Sequence, residues 1–205
     1  MRVKFYAICA VLPALLAACA VRPPPAPTGQ QGEACLARLD AAGIAYAVAA
    51  MPAGGAACTV DTPVRVSAAG VAWNQPGVVS CAFALELDAF AREDLASLAL
   101  QRFGQGVRLL RHRGTFACRR ETSDGSRWSL HASGRAIDIA GFELADGSVI
   151  AVERDWRGGG AKSLFLHELA RRACRRFSVV LTPDSDRDHR DHLHLDSGPW
   201  KLCGA

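Results

Sequence analysis

The sequence predicts an α+β fold in which helices pack on a small, mainly antiparallel sheet. Short runs with alternating or continuous apolar residues, typical of strands, are interspersed with two longer runs of helical apolar spacing. The 205 residues are enough for one domain of ordinary size, or for a domain with a small appended lobe, and for a buried core.

The N-terminal segment is typical of an exported bacterial lipoprotein. Residues 1–18 contain Arg2 and Lys4, then an apolar run, and they end in Leu-Ala-Ala before Cys19. We predict a signal peptide over 1–18 and lipidation of Cys19, which gives a membrane anchor through the lipid. The absence of aspartate after Cys19 favours a periplasmic lipoprotein of the outer membrane. An ordinary secretory signal is the alternative, since the apolar run is too short to span a bilayer.

The segment behind the signal divides into a tether and a small lobe. Residues 19–30 are rich in proline and are predicted to form a stiff tether. A small N-terminal lobe is predicted over 31–79, with a helix at 34–43 and strands at 44–50 and around 58–66.

The remaining chain, 80–205, is predicted to form the main domain. Two runs have the apolar spacing of core helices, 80–103 and 161–177. Shorter runs are predicted as strands: 106–114, 136–142, 148–154, 178–181 and 192–196. Asp146-Gly147 is a turn signal between the second and third of these strands.

Cysteine usage agrees with an oxidising compartment. Outside the signal region there are six cysteines, an even number, which predicts three disulfides. The sequence does not choose among the pairings; we favour Cys35 with Cys58, Cys81 with Cys118, and Cys174 with Cys203. A thiolate zinc site is the rival interpretation, but the close Cys-x-x-Cys spacing that such sites favour is missing.

Two segments offer side chains for one metal ion. His131 and Asp138 lie in the run 129–138, and His194 lies in the strand-like run at 192–196. A catalytic zinc site usually takes three such ligands and leaves one position to water. Gly134 allows a turn between the first two ligands, and strand alternation puts His192 on the same face as His194. The alternatives are a structural His131–Asp138 hydrogen bond, and a solvated loop or calcium site in the aspartate-rich run 184–196.

These segments carry a resemblance to known families. From about Phe116 to Asp196, and over nearly all of the mature chain, the sequence resembles the bacterial extensin-like C-terminal domain proteins. More distantly, its metal-site half is similar to the zinc D-Ala-D-Ala carboxypeptidase and murein endopeptidase group, which includes hedgehog-like folds. That group's signature, Ser-x-His-x-x-Gly-x-Ala-x-Asp with a later His-x-His, is filled here by Ser129, His131, Gly134, Ala136 and Asp138.

The resemblance implies roles for individual residues. Arg119 matches an arginine that steadies the anionic intermediate. The peptidases commonly place a glutamate shortly before the last ligand; this chain has none, so Asp191, or else Asp188, is the candidate general base. His189 and His192 would orient water or donate to the oxyanion, although His192 is equally well explained as a structural imidazole and Arg119 as the partner of an acid. The implied ligands of Zn²⁺ are His131, Asp138 and His194, supported by Ser129 and Gly134.

The leading functional prediction is a zinc-dependent hydrolase that acts on peptidoglycan stem peptides or crosslinks. The alternative is a non-catalytic, metal-containing lipoprotein that binds the cell wall; a purely structural envelope protein is the third possibility. The net charge of +4 is modest, and the arginine clusters lack interleaved aromatic residues, so nucleic acid is not predicted as a partner. His112 and His167 lie outside the motifs and are interpreted as structural.

Overall fold

The computed structural model describes residues 29–51, 55, 57–122 and 124–205. The predicted signal peptide, Cys19 and the tether up to residue 28 lie outside the described residues. The first helix, α1, spans Gly29–Ala42 and so begins earlier than the predicted 34–43. Within the described ranges, every helix is too short or too polar to cross a membrane.

One mixed sheet of nine strands forms the centre of the fold. Its strands are β1 Ala45–Val48, β2 Pro63–Ala68, β3 Ala72–Ser80, β4 Val107–Gly114, β5 Ala136–Leu144, β6 Val149–Ala151, β7 Val179–Leu181, β8 Leu193–Asp196 and β9 Leu202–Cys203. They are ordered β1-β2-β3-β4-β5-β8-β7-β9, and β6 pairs with β5. Neighbours are antiparallel except for β3 with β4 and β7 with β9.

The α+β prediction is therefore confirmed, and the sheet is larger than the sequence indicated. Strand β3 was not predicted because its centre, Asn-Gln-Pro-Gly, combines polar residues with two that weaken strands. Because β3 pairs with β4, the strands before residue 80 and those after residue 106 belong to the same sheet.

Helices pack on this sheet and fill the core. They are α2 Cys81–Ala89, α3 Ala96–Phe103, α4 Val152–Asp155 and α5 Gly160–Arg176. A π-helical turn, Phe90–Leu95, joins α2 to α3, so the helix predicted over 80–103 is confirmed. The ring of Phe177, just after α5, packs edge-on against Phe83 and Phe90, with ring centroids 6.0 and 5.3 Å apart. These contacts join α2, the π-helical turn and the end of α5 in one apolar core.

The strand predicted over 148–154 is only half correct. Strand β6 ends at Ala151, and the chain turns at once into the short helix α4. The Asp155 carboxylate accepts a hydrogen bond from the Ala151 backbone N–H at 2.8 Å, which stabilises the start of this helix. The predicted turn at Asp146-Gly147 is confirmed, since Gly147 N–H donates to the Leu144 carbonyl at 3.0 Å.

Three disulfides are present, and two of the favoured pairings were wrong. Cys174–Cys203 is confirmed, but Cys35 pairs with Cys81, and Cys58 pairs with Cys118. The physical reason is that α1 packs against α2. This packing brings Cys35 to Cys81, the first residue of α2, rather than to Cys58, the next cysteine along the chain. With all six cysteines in disulfides, the thiolate zinc interpretation is also wrong.

Candidate metal centre

A short 3₁₀ turn, Leu130–Ser133, presents His131. The Ser129 hydroxyl accepts a hydrogen bond from the His131 N–H at 3.3 Å and thereby caps the turn. Gly134 ends the turn with φ of 64°, a left-handed conformation that disfavours other residues. A Cβ at this position would lie 2.8 Å from Val60 Cγ1 and 2.9 Å from the Ser80 nitrogen. Both predicted supporting residues, Ser129 and Gly134, thus shape the turn that presents His131.

The pairing of β5 with β8 brings the other two candidate ligands together. Asp138 on β5 is the direct cross-strand partner of His194 on β8. Asp138 Oδ1 lies 2.9 Å from His194 Nδ1 and 3.2 Å from His131 Nε2, and the two ring nitrogens are 3.3 Å apart. Four ligands at zinc–nitrogen distances in a tetrahedron are separated by about 3.3 Å. The three donor atoms therefore have the spacing of one face of a zinc coordination shell.

Hydrogen bonds behind the two histidines decide which nitrogens face this cluster. His131 is 2% exposed, and its Nδ1 donates to the Thr115 carbonyl at 2.5 Å. His194 is 9% exposed, and its Nε2 donates to the Asp196 carboxylate at 3.0 Å. In neutral imidazoles this leaves lone pairs on His131 Nε2 and His194 Nδ1, both directed at Asp138. Such an outer hydrogen bond on each histidine is typical of metal ligands.

The electrostatics of the cluster favour a cation. Burial raises the pKa of Asp138, but its hydrogen-bonding contacts with His131 and His194 outweigh this effect and hold the pKa well below its usual range. Burial lowers the pKa of His194, but hydrogen bonds to Asp138 and Asp196 outweigh it and raise the pKa to about 9. In the absence of a metal ion, the positive charge within this cluster is therefore the proton on His194. Two imidazoles and one carboxylate form a donor set that fits zinc.

His192 adjoins the three ligands without being one of them. Its Nε2 lies 3.5 Å from Asp138 Oδ1, and its Nδ1 lies 2.8 Å from Asp191 Oδ1. The second oxygen of Asp191 accepts from the Arg113 guanidinium at 2.5 Å. Burial raises the pKa of Asp191, but His192 and the Arg113 charge outweigh this effect and lower it. With both oxygens engaged, Asp191 is placed to orient His192.

His189 forms a second histidine–carboxylate pair beside the cluster. Its ring centroid lies 5.1 Å from that of His192 and 5.7 Å from that of His194. Its Nδ1 lies 2.7 Å from Asp186 Oδ1, and burial lowers the pKa of His189. Asp188 is exposed and bonds Asp186 through its backbone N–H at 2.8 Å. The carboxylate next to an imidazole here is therefore that of Asp186.

Arg119 lies on the surface. Its guanidinium donates to the Arg120 carbonyl and the Thr122 hydroxyl, each at 3.3 Å. Among the contacts of the described residues, none joins this guanidinium to the three ligands. The structure thus does not bring the Arg119 side chain to the cluster.

Several residues of this centre were not identified from the sequence. Asp196 follows His194 by two residues, so strand alternation was a signal that could have identified it. Thr115 contributes only its backbone carbonyl, which leaves no signal in the sequence. Arg113 lies on β4 and contacts Asp191, and Asp186 lies between β7 and β8 and contacts His189. Their roles depend on the folded structure, and the sequence did not indicate them.

The competing interpretations of the aspartate-rich run are not favoured. His131, Asp138 and His194 are the one group of three potential ligands within the described part of the chain. The aspartates at 184–191 have other partners: Asp184 bonds Trp156 and Arg157, Asp186 bonds His189, and Asp191 bonds His192 and Arg113. His112 and His167 pack on tryptophan rings, as expected of structural histidines.

Comparison with known proteins gives one match. The family described as extensin-like protein C-terminus matches residues 33–204, which include every strand of the sheet and all three candidate ligands. No curated protein and no solved structure matches the chain.

Proposed function

The chain belongs to the extensin-like protein C-terminus family, and we propose that it is a zinc-dependent hydrolase acting on peptidoglycan peptides or crosslinks in the cell envelope. The observation that carries this proposal is the convergence of His131 Nε2, Asp138 Oδ1 and His194 Nδ1, with the imidazole of His192 beside them. The similarity of the motif at 129–138 to zinc D-Ala-D-Ala peptidases supports the choice of substrate.

Three protein ligands leave room for further coordination. Zinc in such a setting acidifies a bound water and polarises a carbonyl group. The His131 and His194 rings are fixed by Thr115 and Asp196, so the ligands need no rearrangement to bind the ion.

His192 is the residue we assign to proton transfer. Because its Nδ1 is bonded to Asp191, the neutral ring carries its lone pair on Nε2, on the side of Asp138. This nitrogen is placed to accept a proton from water or from the substrate and to return it to the leaving amine. Asp191 then stabilises the charged imidazole, and Arg113 holds Asp191 in position. The general-base role that the sequence assigned to Asp191 thus passes to its neighbour.

His189 is a second, more peripheral candidate for contact with the substrate. Its Nδ1 is fixed by Asp186, and its ring packs against His192 and His194. We do not retain Arg119 as the group that steadies the intermediate, because its guanidinium is engaged with Arg120 and Thr122.

The site of action rests on the N-terminal sequence. Export as a lipoprotein through the signal at 1–18 and Cys19 would place the domain in the periplasm, next to peptidoglycan. The three disulfides are consistent with that oxidising compartment.

Digestion of purified muropeptides by the zinc-loaded, signal-free protein tests this proposal. We expect new products with wild type, and a loss of rate of at least about a hundredfold with His192→Ala. Asp191→Asn should also reduce the rate. The same change at Asp188, an exposed aspartate three residues earlier, is the control and should leave the rate unchanged. Digestion that His192→Ala leaves unchanged would contradict the assigned role.

A metal-containing binding lipoprotein is the second candidate. The observation that favours it is that the carboxylates next to the cluster are already paired, Asp191 with His192 and Arg113, and Asp196 with His194. Zinc binding by wild type together with muropeptide binding, but without any digestion, would support this candidate over the hydrolase.

A further inference from the structure

A short antiparallel hairpin leads directly into the turn that presents His131. Its arms are 119–122 and 124–128, and residue 120 forms a β-bridge with residue 128. At the base of the hairpin, the Ser129 N–H donates to the Arg119 carbonyl at 3.2 Å. The preceding residue, Cys118, is joined by a disulfide to Cys58. The base of the hairpin is therefore fixed next to the metal centre.

This hairpin presents an exposed tryptophan. Trp128 is 39% exposed, whereas Trp73 and Trp156 are buried in the core at 7% and 2%. The Arg120 guanidinium lies over the Trp128 ring, 4.3 Å from its centroid, and also donates to the Ser126 carbonyl. The cation–π contact and this hydrogen bond hold the indole in a defined orientation. The remaining exposure belongs to indole surface that Arg120 does not cover.

The charges on the hairpin are unevenly compensated. Arg127 pairs with both acidic residues of the hairpin, Glu121 at 2.7 Å and Asp124 at 3.3 Å. Within the described residues, Arg119 and Arg120 form no ion pair and donate only to neutral oxygens. The Arg120 guanidinium, which lies beside the exposed indole, is thus available to an anionic ligand.

From this surface we infer that the hairpin binds an acidic saccharide next to the metal centre. The apolar face of a sugar ring would lie on Trp128, and a sugar carboxylate would accept hydrogen bonds from Arg120. A rigid indole and a planar cation lose little conformational entropy on binding, which suits recognition by a small exposed surface. The inference rests on the proposed envelope function, since peptidoglycan glycan strands carry a free lactyl carboxylate wherever the stem peptide has been removed.

Titration calorimetry on the zinc-loaded protein tests this inference with three defined saccharides. The first is a preparation of peptide-free glycan strands of peptidoglycan, which carry lactyl carboxylates. The second is tetragalacturonate, and the third is the neutral N-acetylglucosamine tetramer. We expect binding of at least one acidic saccharide and much weaker binding of the neutral one. The two acidic ligands distinguish an envelope glycan from a uronate polymer as the source of the same chemistry.

Variants locate the binding surface. Trp128→Ala and Arg120→Ala should each weaken binding by about tenfold or more, while Trp200→Ala, which removes a 65% exposed tryptophan outside the hairpin, should change it by less than about twofold. Unchanged zinc content in each variant shows that the fold is kept, and Arg120→Ala remains as a probe if Trp128→Ala fails to fold.

Three results would overturn the inference: absence of binding to either acidic saccharide, equal binding of the neutral tetramer, or an equal loss with Trp200→Ala. Because binding is measured without turnover, a failure of muropeptide digestion with saccharide binding intact counts against the proposed hydrolase alone. Muropeptide digestion without saccharide binding counts only against the inference that the hairpin binds a saccharide.

Discussion

His194 uses both of its ring nitrogens, and each faces a carboxylate. Nε2 bonds Asp196 at 3.0 Å, and Nδ1 faces Asp138 at 2.9 Å. Without a metal, the most favourable occupant of the space between Nδ1 and Asp138 is a proton, which is why the pKa of His194 is raised to about 9. A zinc ion bound at the proposed site would therefore compete with the proton for the same nitrogen.

This competition predicts that zinc binding releases a proton. Since the raised pKa keeps His194 protonated up to about pH 9, zinc must displace that proton at neutral pH. The apparent affinity should rise roughly tenfold per pH unit between about pH 6 and 8.5, and level off above about pH 9. Titration calorimetry in two buffers of different ionisation enthalpy should detect about one released proton. A pH-independent affinity would contradict this account of His194.

At the scale of elements, two features bring the ligands together. The 3₁₀ turn Leu130–Ser133 presents His131, and the register of β5 with β8 places Asp138 opposite His194. The motif spacing predicted a turn at Gly134 and a strand around His194, because a glycine and an alternating run are local signals. The register of β5 with β8 was not predicted, because it depends on which strands pair in the folded sheet. The positions of Arg113 and Thr115 could not be predicted, since they depend on how β4 lies beside β5.

Gly134 is the position where the turn is most constrained. Gly134→Ala places a methyl group against Val60 and Ser80 in a left-handed conformation, and we expect it to lower the free energy of unfolding by about 2–4 kcal/mol. Gly104→Ala is the matched control, because Gly104 has φ of 67° but no atom within 4 Å of the added Cβ. It should cost only about 1 kcal/mol, because it adds the strain of the left-handed conformation without a clash. Urea unfolding of the metal-free proteins measures both, and equal costs would show that crowding at residue 134 is unimportant.

At the scale of the whole molecule, the disulfides connect segments that are distant in sequence. Cys58–Cys118 closes a 60-residue separation and joins the segment before β2 to the one that follows β4. The number of disulfides could be predicted from an even cysteine count, but the pairing could not. Pairing depends on helix packing, here α1 on α2, and local sequence does not encode that contact.

The observed pairing makes a direct prediction for peptide mapping. Digestion without reduction should yield a linked peptide containing Cys35 and Cys81, and another containing Cys58 and Cys118. Replacing Cys58 and Cys118 together by serine should lower the free energy of unfolding by about 2–5 kcal/mol, because the unfolded chain gains the entropy of an open loop. A linked peptide that joins Cys35 to Cys58 would show that the pairing is incorrect.

The zinc content of the purified, signal-free protein and of its His194→Ala variant, measured by elemental analysis after zinc loading and gel filtration, tests the proposed metal centre. We expect about one zinc per chain in wild type and a loss of most of it in the variant, because only two of the three ligands remain. Asp188→Asn should retain the wild-type content. A wild-type protein that holds no zinc, or a His194→Ala variant that holds as much as wild type, would contradict the metal centre.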